Sequence, residues 1–217
     1  MEIVFLFYDG MTALDLVGPH EILCRLPGAM VKRVAMRAGA VRTDSGLMLT
    51  AEYALSDVSH ADVLVIPGAG SATTLREYPE TLAWIRSIHA ATDWTVSVCT
   101  GSLILGAAGL LSGLRATTHW AALDRLSAWG AEPAQERIVE AGKVITAAGV
   151  SAGIDMALAL AEKIAGRQVA EALQLGIEYD PEPPFDGGSP EKAAPAIREA
   201  LRARLVASFE SVERVTV

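Results

Sequence analysis

Short, unbroken apolar runs constrain this chain most. Ile3-Val4-Phe5-Leu6-Phe7 and Val63-Leu64-Val65-Ile66 are too short to be buried helices, and each ends at a turn signal, Asp9-Gly10 and Pro67-Gly68. A strand that alternates apolar and polar residues can face water on one side, whereas a strand apolar at every position must be covered on both. Parallel sheets between layers of helices meet that condition. The segments between the strands agree. Leu14, Val17, Ile22 and Leu23 recur at helical spacing, and Gly18-Pro19 is expected to break or restart that helix midway. Leu82 to Ala91 reads as a helix, and Val31 to Arg37 as an extended stretch. Thr43-Asp44-Ser45-Gly46 separates two β-prone pieces as a hairpin turn would.

Trp94-Thr95-Val96-Ser97-Val98 is followed by Cys99-Thr100-Gly101-Ser102 and then an Ala/Leu-rich helix from about Leu103 to Gly109 or Gly113, which spells strand, abrupt turn, helix. Further on come a short extended piece at Ala116 to Thr118, a helix after Trp120, a hairpin through Ile138 to Thr146 turning at Ala141-Gly142, and a helix from Ser151 to Ala165. The alternation predicts an α/β doubly wound fold: a mostly parallel sheet with helices on both faces and a ligand site beyond the carboxyl ends of the strands. One domain over residues 1–217 is expected, with about 178–217 forming a covering arm, rich in Pro and Gly from Pro181 to Pro190, and a final helix from Glu191 to Glu213.

Composition limits the partners. With 51% apolar and 20% charged residues, the 217-residue chain can build one large core. A net charge of -8 and a pI near 5.0 are wrong for a phosphate backbone, which needs clustered Lys and Arg, so no nucleic acid is expected. No apolar stretch approaches the roughly 20 residues that span a bilayer, and the first residues lack a leader pattern, so no membrane and a cytoplasmic location are expected. Cys24 and Cys99 have no second cysteine at metal or redox spacing, and free thiols are expected.

Cys99 is the central candidate for chemistry. A cysteine between a buried strand and a helix sets its sulfur beside unpaired helix N–H groups, which is expected to lower its pKa. The small neighbours Ser97, Gly101 and Ser102 suit a sharp turn of the kind that presents hydrolase nucleophiles. Taken alone, the same spacing equally describes a small buried hydrophobe. Cys24, beside Leu23 and Leu26, fits that second description better. Asp15, flanked by Leu14 and Leu16, is a candidate proton carrier whose pKa desolvation would raise, although from the residues alone helix capping is the stronger reading. His119, in Thr117-Thr118-His119-Trp120, is either the base of a Cys-His pair or a supporting core histidine. Gly68, Ala69 and Gly70 offer backbone N–H groups for an oxyanion-type, substrate-binding pocket, or simply a tight turn running on to Ser71. His20, His60 and His89 show no ligand spacing, and no metal is expected.

At these residues the sequence resembles the ThiJ/PfpI superfamily, of class I glutamine amidotransferase-like type, and within it the isocyanide hydratases. The matching segments are Asp15 to His20, Ser97 to Leu111, Ala116 to Trp120, Gly149 to Asp155, and Glu178-Tyr179 with the run to Pro190. The resemblance implies a flavodoxin-like core and a homodimer. It also implies an enzyme that hydrates an organic isocyanide to an N-substituted formamide with neither metal nor organic cofactor. By position it makes Cys99 the nucleophile, Asp15 the acid/base partner in place of a cap, and Thr100 a neighbouring polar group that binds substrate. The chain departs from the family pattern at Ala69, where a second glycine is usual. Amide-cleaving relatives carry a histidine directly after the nucleophile, and Thr100 in that slot disfavours proteolysis. Two alternatives stand: a glyoxalase- or deglycase-like thiol enzyme, and a non-catalytic ligand-sensing domain like those of some transcription regulators. For the second, the chain's end at Val217 without a helix-turn-helix would demand a separate partner.

Overall fold

A computed structural model describes residues 1–70 and 78–213, with side chains up to Ser208. Ser71 lies outside the described residues. Strands are β1 (Glu2–Leu6), β2 (Met30–Ala35), β3 (Gly39–Arg42), β4 (Met48–Ala51), β5 (Tyr53–Ala54), β6 (Val63–Ile66), β7 (Trp94–Val98), β8 (Arg115–Ala116), β9 (Glu132–Pro133), β10 (Ile138–Ala141) and β11 (Val144–Ala147). Helices are α1 (Ala13–Leu23), α2 (Pro79–Ala91), α3 (Gly101–Ala107), α4 (Ala152–Ala165), α5 (Arg167–Gly176) and α6 (Pro195–Glu213). The helix expected after Trp120 is a 3-10 stretch, Trp120–Trp129.

Among the described residues the main sheet runs β10-β11-β7-β6-β1-β2-β5, parallel throughout except for the β10–β11 hairpin. Ile3 of β1 lies between Val31 of β2 and Val63 of β6, so the apolar runs occupy the centre of the sheet. Ile3, Val4, Phe5 and Leu6, and likewise Val63 to Ile66, have no exposed surface. Right-handed crossovers to opposite sides of β1 put α1 and α2 on opposite faces. Accordingly α1 packs on α4, and α2 on α3. The predicted α/β doubly wound, flavodoxin-like architecture is the one observed. The hairpin around Thr43 to Gly46 joins β3 and β4 as expected.

Two expectations about helices are corrected. Gly18-Pro19 does not interrupt α1, which continues from Ala13 to Leu23 with Pro19 inside it. The proline removes a single donor, the one that would have reached the Asp15 carbonyl, and packing supports the helix through that gap. Pro19 lies against α4, since a methyl group on Gly153 would sit 3.2 Å from the proline ring and 2.9 Å from Val98 at the end of β7. Helix α5 is an addition, and α6 starts at Pro195, later than Glu191. Ser189 holds the N–H groups of Lys192 and Ala193 in a turn, and a proline fits the first helical position. No helix among the described residues is long and apolar enough to cross a membrane.

Candidate active site

The carboxyl ends of β1, β6 and β7 converge, and the three segments that leave them carry the candidate residues. Cys99 follows β7 with φ +57°, a left-handed conformation that side-chain-bearing residues seldom adopt. The surroundings fix that conformation. Its N–H donates to the carbonyls of Ala147 and Ala148 at 3.1 and 3.0 Å, and its carbonyl accepts from the Thr118 and Ser102 hydroxyls at 2.9 and 3.3 Å. Helix α3 can start immediately afterwards only because its first residue is glycine. A methyl group on Gly101 would lie 2.3 Å from the Ile66 carbonyl oxygen.

Asp15, in the first turn of α1, is wholly buried, and its side chain leaves its own helix. Oδ2 accepts from the Gly68 N–H at 2.9 Å, and the carboxyl group interacts with the Cys99 thiol. Asp15 therefore does not cap α1. The sulfur also receives the backbone N–H groups of Thr100 and Val150. Val150 has φ +27°, severe for a β-branched residue, so a second strained backbone position serves the same sulfur.

The segment after β6 is a scaffold for these groups. Thr100 Oγ1 accepts from the Ala69 N–H and donates to the Ala69 carbonyl, both at 2.9 Å. With Gly68 N–H on Asp15, two of the three N–H groups expected to form an oxyanion-type pocket are already bonded within the protein. Ala69 has no positive φ, so its backbone does not demand the glycine usual at this position. Gly68 is the position that admits no side chain, because a methyl group would lie 2.5 Å from the Thr100 nitrogen and 2.9 Å from Asp15 Oδ2. Gly70 borders the scaffold, and its carbonyl accepts from Ser208 of α6. Tyr8, buried, donates to the Pro67 carbonyl at 2.8 Å.

Burial dominates the electrostatics. It pushes Asp15 from 3.8 to about 7, opposed by the Gly68 N–H and by the thiol and reinforced by the charge of Asp44. The lowered pKa expected for Cys99 is reversed: burial and the neighbouring Asp15 charge raise it well above 9.0, against the pull of the Thr100 and Val150 N–H groups. A seven-residue helix contributes only its first amides, and these do not outweigh the enclosure of the sulfur. The Asp15 carboxyl group and the Cys99 thiol interact directly, so the two titrate as a pair.

His119 makes no described hydrogen bond to Cys99. Its Nδ1 accepts from the Ala121 N–H at 3.3 Å, which puts the ring proton on Nε2, and burial lowers its pKa. It forms one wall of a cavity of about 490 Å³ that also includes Leu14, Trp120, Leu123, Val150 and the segment Gly188–Glu191. That segment is tied down on both sides. Tyr179 Oη donates to Asp155 at 2.8 Å, Asp155 pairs with Arg137, and Gln135 bonds Glu191. Among the described residues no three His, Cys, Asp or Glu side chains converge as a metal site would require.

Residues 1–163 match the DJ-1/PfpI family along the very segments that form the sheet and this site. The chain belongs to the DJ-1/PfpI family. An isonitrile (isocyanide) hydratase of Pseudomonas putida is 42% identical over 216 residues, covering 100% of this chain and 95% of the relative. A solved ThiJ/PfpI family protein from Pseudomonas syringae superposes with a TM-score of 0.93 at 38% identity, over 96% of this chain and 87% of the other. The HTH-type transcriptional regulator CdhR of Pseudomonas aeruginosa is 33% identical over 76% of this chain, which spans about half (51%) of its length. Two residues of this DJ-1/PfpI site escape sequence reasoning. Val150 acts through its backbone, for which Gly149-Val150-Ser151 gives only a turn signal, and Tyr8 reads as the polar end of an apolar strand.

Proposed function

We propose that this chain is an isocyanide hydratase, a hydro-lyase that adds water to an organic isocyanide and releases an N-substituted formamide. The observation that carries the proposal is the contact between the buried Asp15 carboxyl group and the Cys99 thiol, in a chain 42% identical along its whole length to an isonitrile hydratase. Cys99 is the nucleophile. With the proton on Asp15, the thiolate, held by the Thr100 and Val150 N–H groups, attacks the terminal isocyanide carbon. Asp15 delivers its proton to that carbon, giving a thioimidate, R–N=CH–S–Cys99. Ionised Asp15 next takes a proton from water as the oxygen bonds to the carbon, and that proton passes on to the nitrogen. The remaining hydroxyl proton returns to Asp15 as the C–S bond breaks, so the formamide departs and the pair is restored. Gly68 aims the carboxyl group, Ala69 and Thr100 lock the loop that carries Gly68, Gly70 closes that loop, and His119 supports the cavity wall.

Residues 1–217 act as one domain, with about 178–217 as covering arm and final helix. The working molecule is a homodimer in the cytoplasm. The family resemblance supports the dimer, as do apolar side chains left exposed at Leu14, Met48 and Leu175, and the two free cysteines suit a reducing compartment. The similarity to a transcription regulator favours one further reading, a ligand sensor that uses the same pocket without turnover.

Single-turnover mass spectrometry with an isocyanide separates these readings. We expect a Cys99 adduct of the added isocyanide mass that decays to formamide, no adduct in Cys99→Ala, and formation of formamide slowed at least a hundredfold in Asp15→Asn. Binding without turnover would establish the sensor. Turnover of methylglyoxal but not of isocyanides would transfer the same pair to glyoxalase chemistry.

A further inference from the structure

The peptide group between Pro67 and Gly68 is hydrogen-bonded at both ends. Its N–H donates to Asp15 Oδ2 at 2.9 Å, and its carbonyl accepts from the Tyr8 hydroxyl at 2.8 Å. In a trans peptide these two groups point in opposite directions, so Tyr8 and Asp15 grip one rigid plane from its two edges. Donation to the carbonyl draws electron density from the nitrogen, and the N–H becomes a stronger donor in turn. Asp15 depends on that donor, because its second oxygen, Oδ1, is buried and receives no N–H or O–H. The Pro67 carbonyl likewise depends on Tyr8, since no backbone N–H among the described residues donates to it. A rotated peptide plane would turn this carbonyl towards the carboxylate, and the phenol opposes that rotation.

Tyr8 is suited to donate and to do nothing else. It is buried, and burial, reinforced by the charges of Asp15, Cys99 and Asp44, raises its pKa well above the usual range of a phenol. The hydroxyl therefore keeps its proton. The other titratable groups facing Asp15 are the Cys99 thiol, which follows β7, and Asp44, in the turn between β3 and β4. Helix α4 meets α1 with Gly153 and Ile154, which carry no charge. A hydrogen bond to the ionised form of a carboxyl group favours that form, so the strength of the Gly68 N–H bears on where Asp15 titrates.

We propose that Tyr8 is a positioning residue for Asp15: through the Pro67–Gly68 peptide its hydroxyl fixes the N–H that aims the carboxyl group and strengthens that N–H towards the ionised form, the form that takes a proton from water. What Asp15 does in turnover rests on the isocyanide hydratase reading, but its titration is measured without substrate, so the two fail separately. Carbon NMR of isotopically labelled aspartate carboxyl groups, with the Asp15 signal assigned by its loss in Asp15→Asn, follows that titration in a Cys99→Ala background, where Asp15 titrates without the thiol. Tyr8→Phe, which keeps the ring in the core, should raise the midpoint by about half a pH unit. Fluorotyrosine placed at position 8, whose hydroxyl is the stronger donor, should lower it. A purely structural role would not order the midpoints by donor strength. The fluorotyrosine comparison decides alone if Tyr8→Phe folds poorly. With Cys99 restored, the pH at which formamide formation is half-maximal should follow the same order. A midpoint unmoved by either change, or moved in the same direction by both, would overturn the proposal and leave the hydratase intact. Midpoints in the expected order, in a chain that turns over no isocyanide, would leave the role of Tyr8 towards Asp15 standing and remove the hydratase reading.

Discussion

Ionising an aspartate with no exposed surface costs the folded chain stability. Asp15 releases its proton near 3.8 when unfolded and near 7 when folded, so between those values the folded state binds more protons. The stabilisation from holding that proton is fully present below about pH 4 and is lost as pH rises through 7. Asp15→Asn removes the titration, and we expect it to gain about 2–4 kcal/mol relative to the parent chain between pH 5 and 8 while losing activity. Chemical denaturation of both proteins at the two pH values measures this, and parallel stability curves would refute it. Both members of the pair were legible in the sequence, Cys99 from its elbow and Asp15 from resemblance. The sign of the thiol shift was not, because helix amides can be inferred from a local pattern whereas enclosure by β11, α1 and the Gly68 loop comes from segments far away in the chain.

Close contacts between elements decide where the pair sits. Helix α3 approaches the end of β6 so tightly that Gly101 has no room for a side chain, and moving either element would displace Cys99 from Asp15. Gly101→Ala should cost about 2–4 kcal/mol and most of the activity, whereas Gly187→Ala, in the open arm, should be neutral for both. Urea denaturation with activity assays on each variant checks the contrast. Strands β1 and β6 were readable as strands because an apolar run of their length has little else to become. Pro19 was misread because a local rule for breaking helices cannot see that α4 packs on α1 from the other side. Helix α5 was overlooked although Val169, Ala170 and Leu173 fall on one face of it: Gly166 closes one helix, and the ten residues after it are short for a second.

At the scale of the whole molecule, the chain surrounds its seven-stranded sheet and leaves Met48 and Leu175 outside. Light scattering on the purified protein should give twice the 22.8 kDa chain mass, and a value for one chain at micromolar concentration would remove the dimer from the proposal. Asp15, Gly68 and Cys99 come from three separate strand ends, brought together only when β1, β6 and β7 lie in register. No fragment shorter than that span holds the pair. Active-site titration is therefore also a census of native molecules: the fraction of a preparation that captures one isocyanide equivalent reports how many chains have assembled the entire centre of the sheet, a quantity that spectroscopic secondary-structure content would overstate.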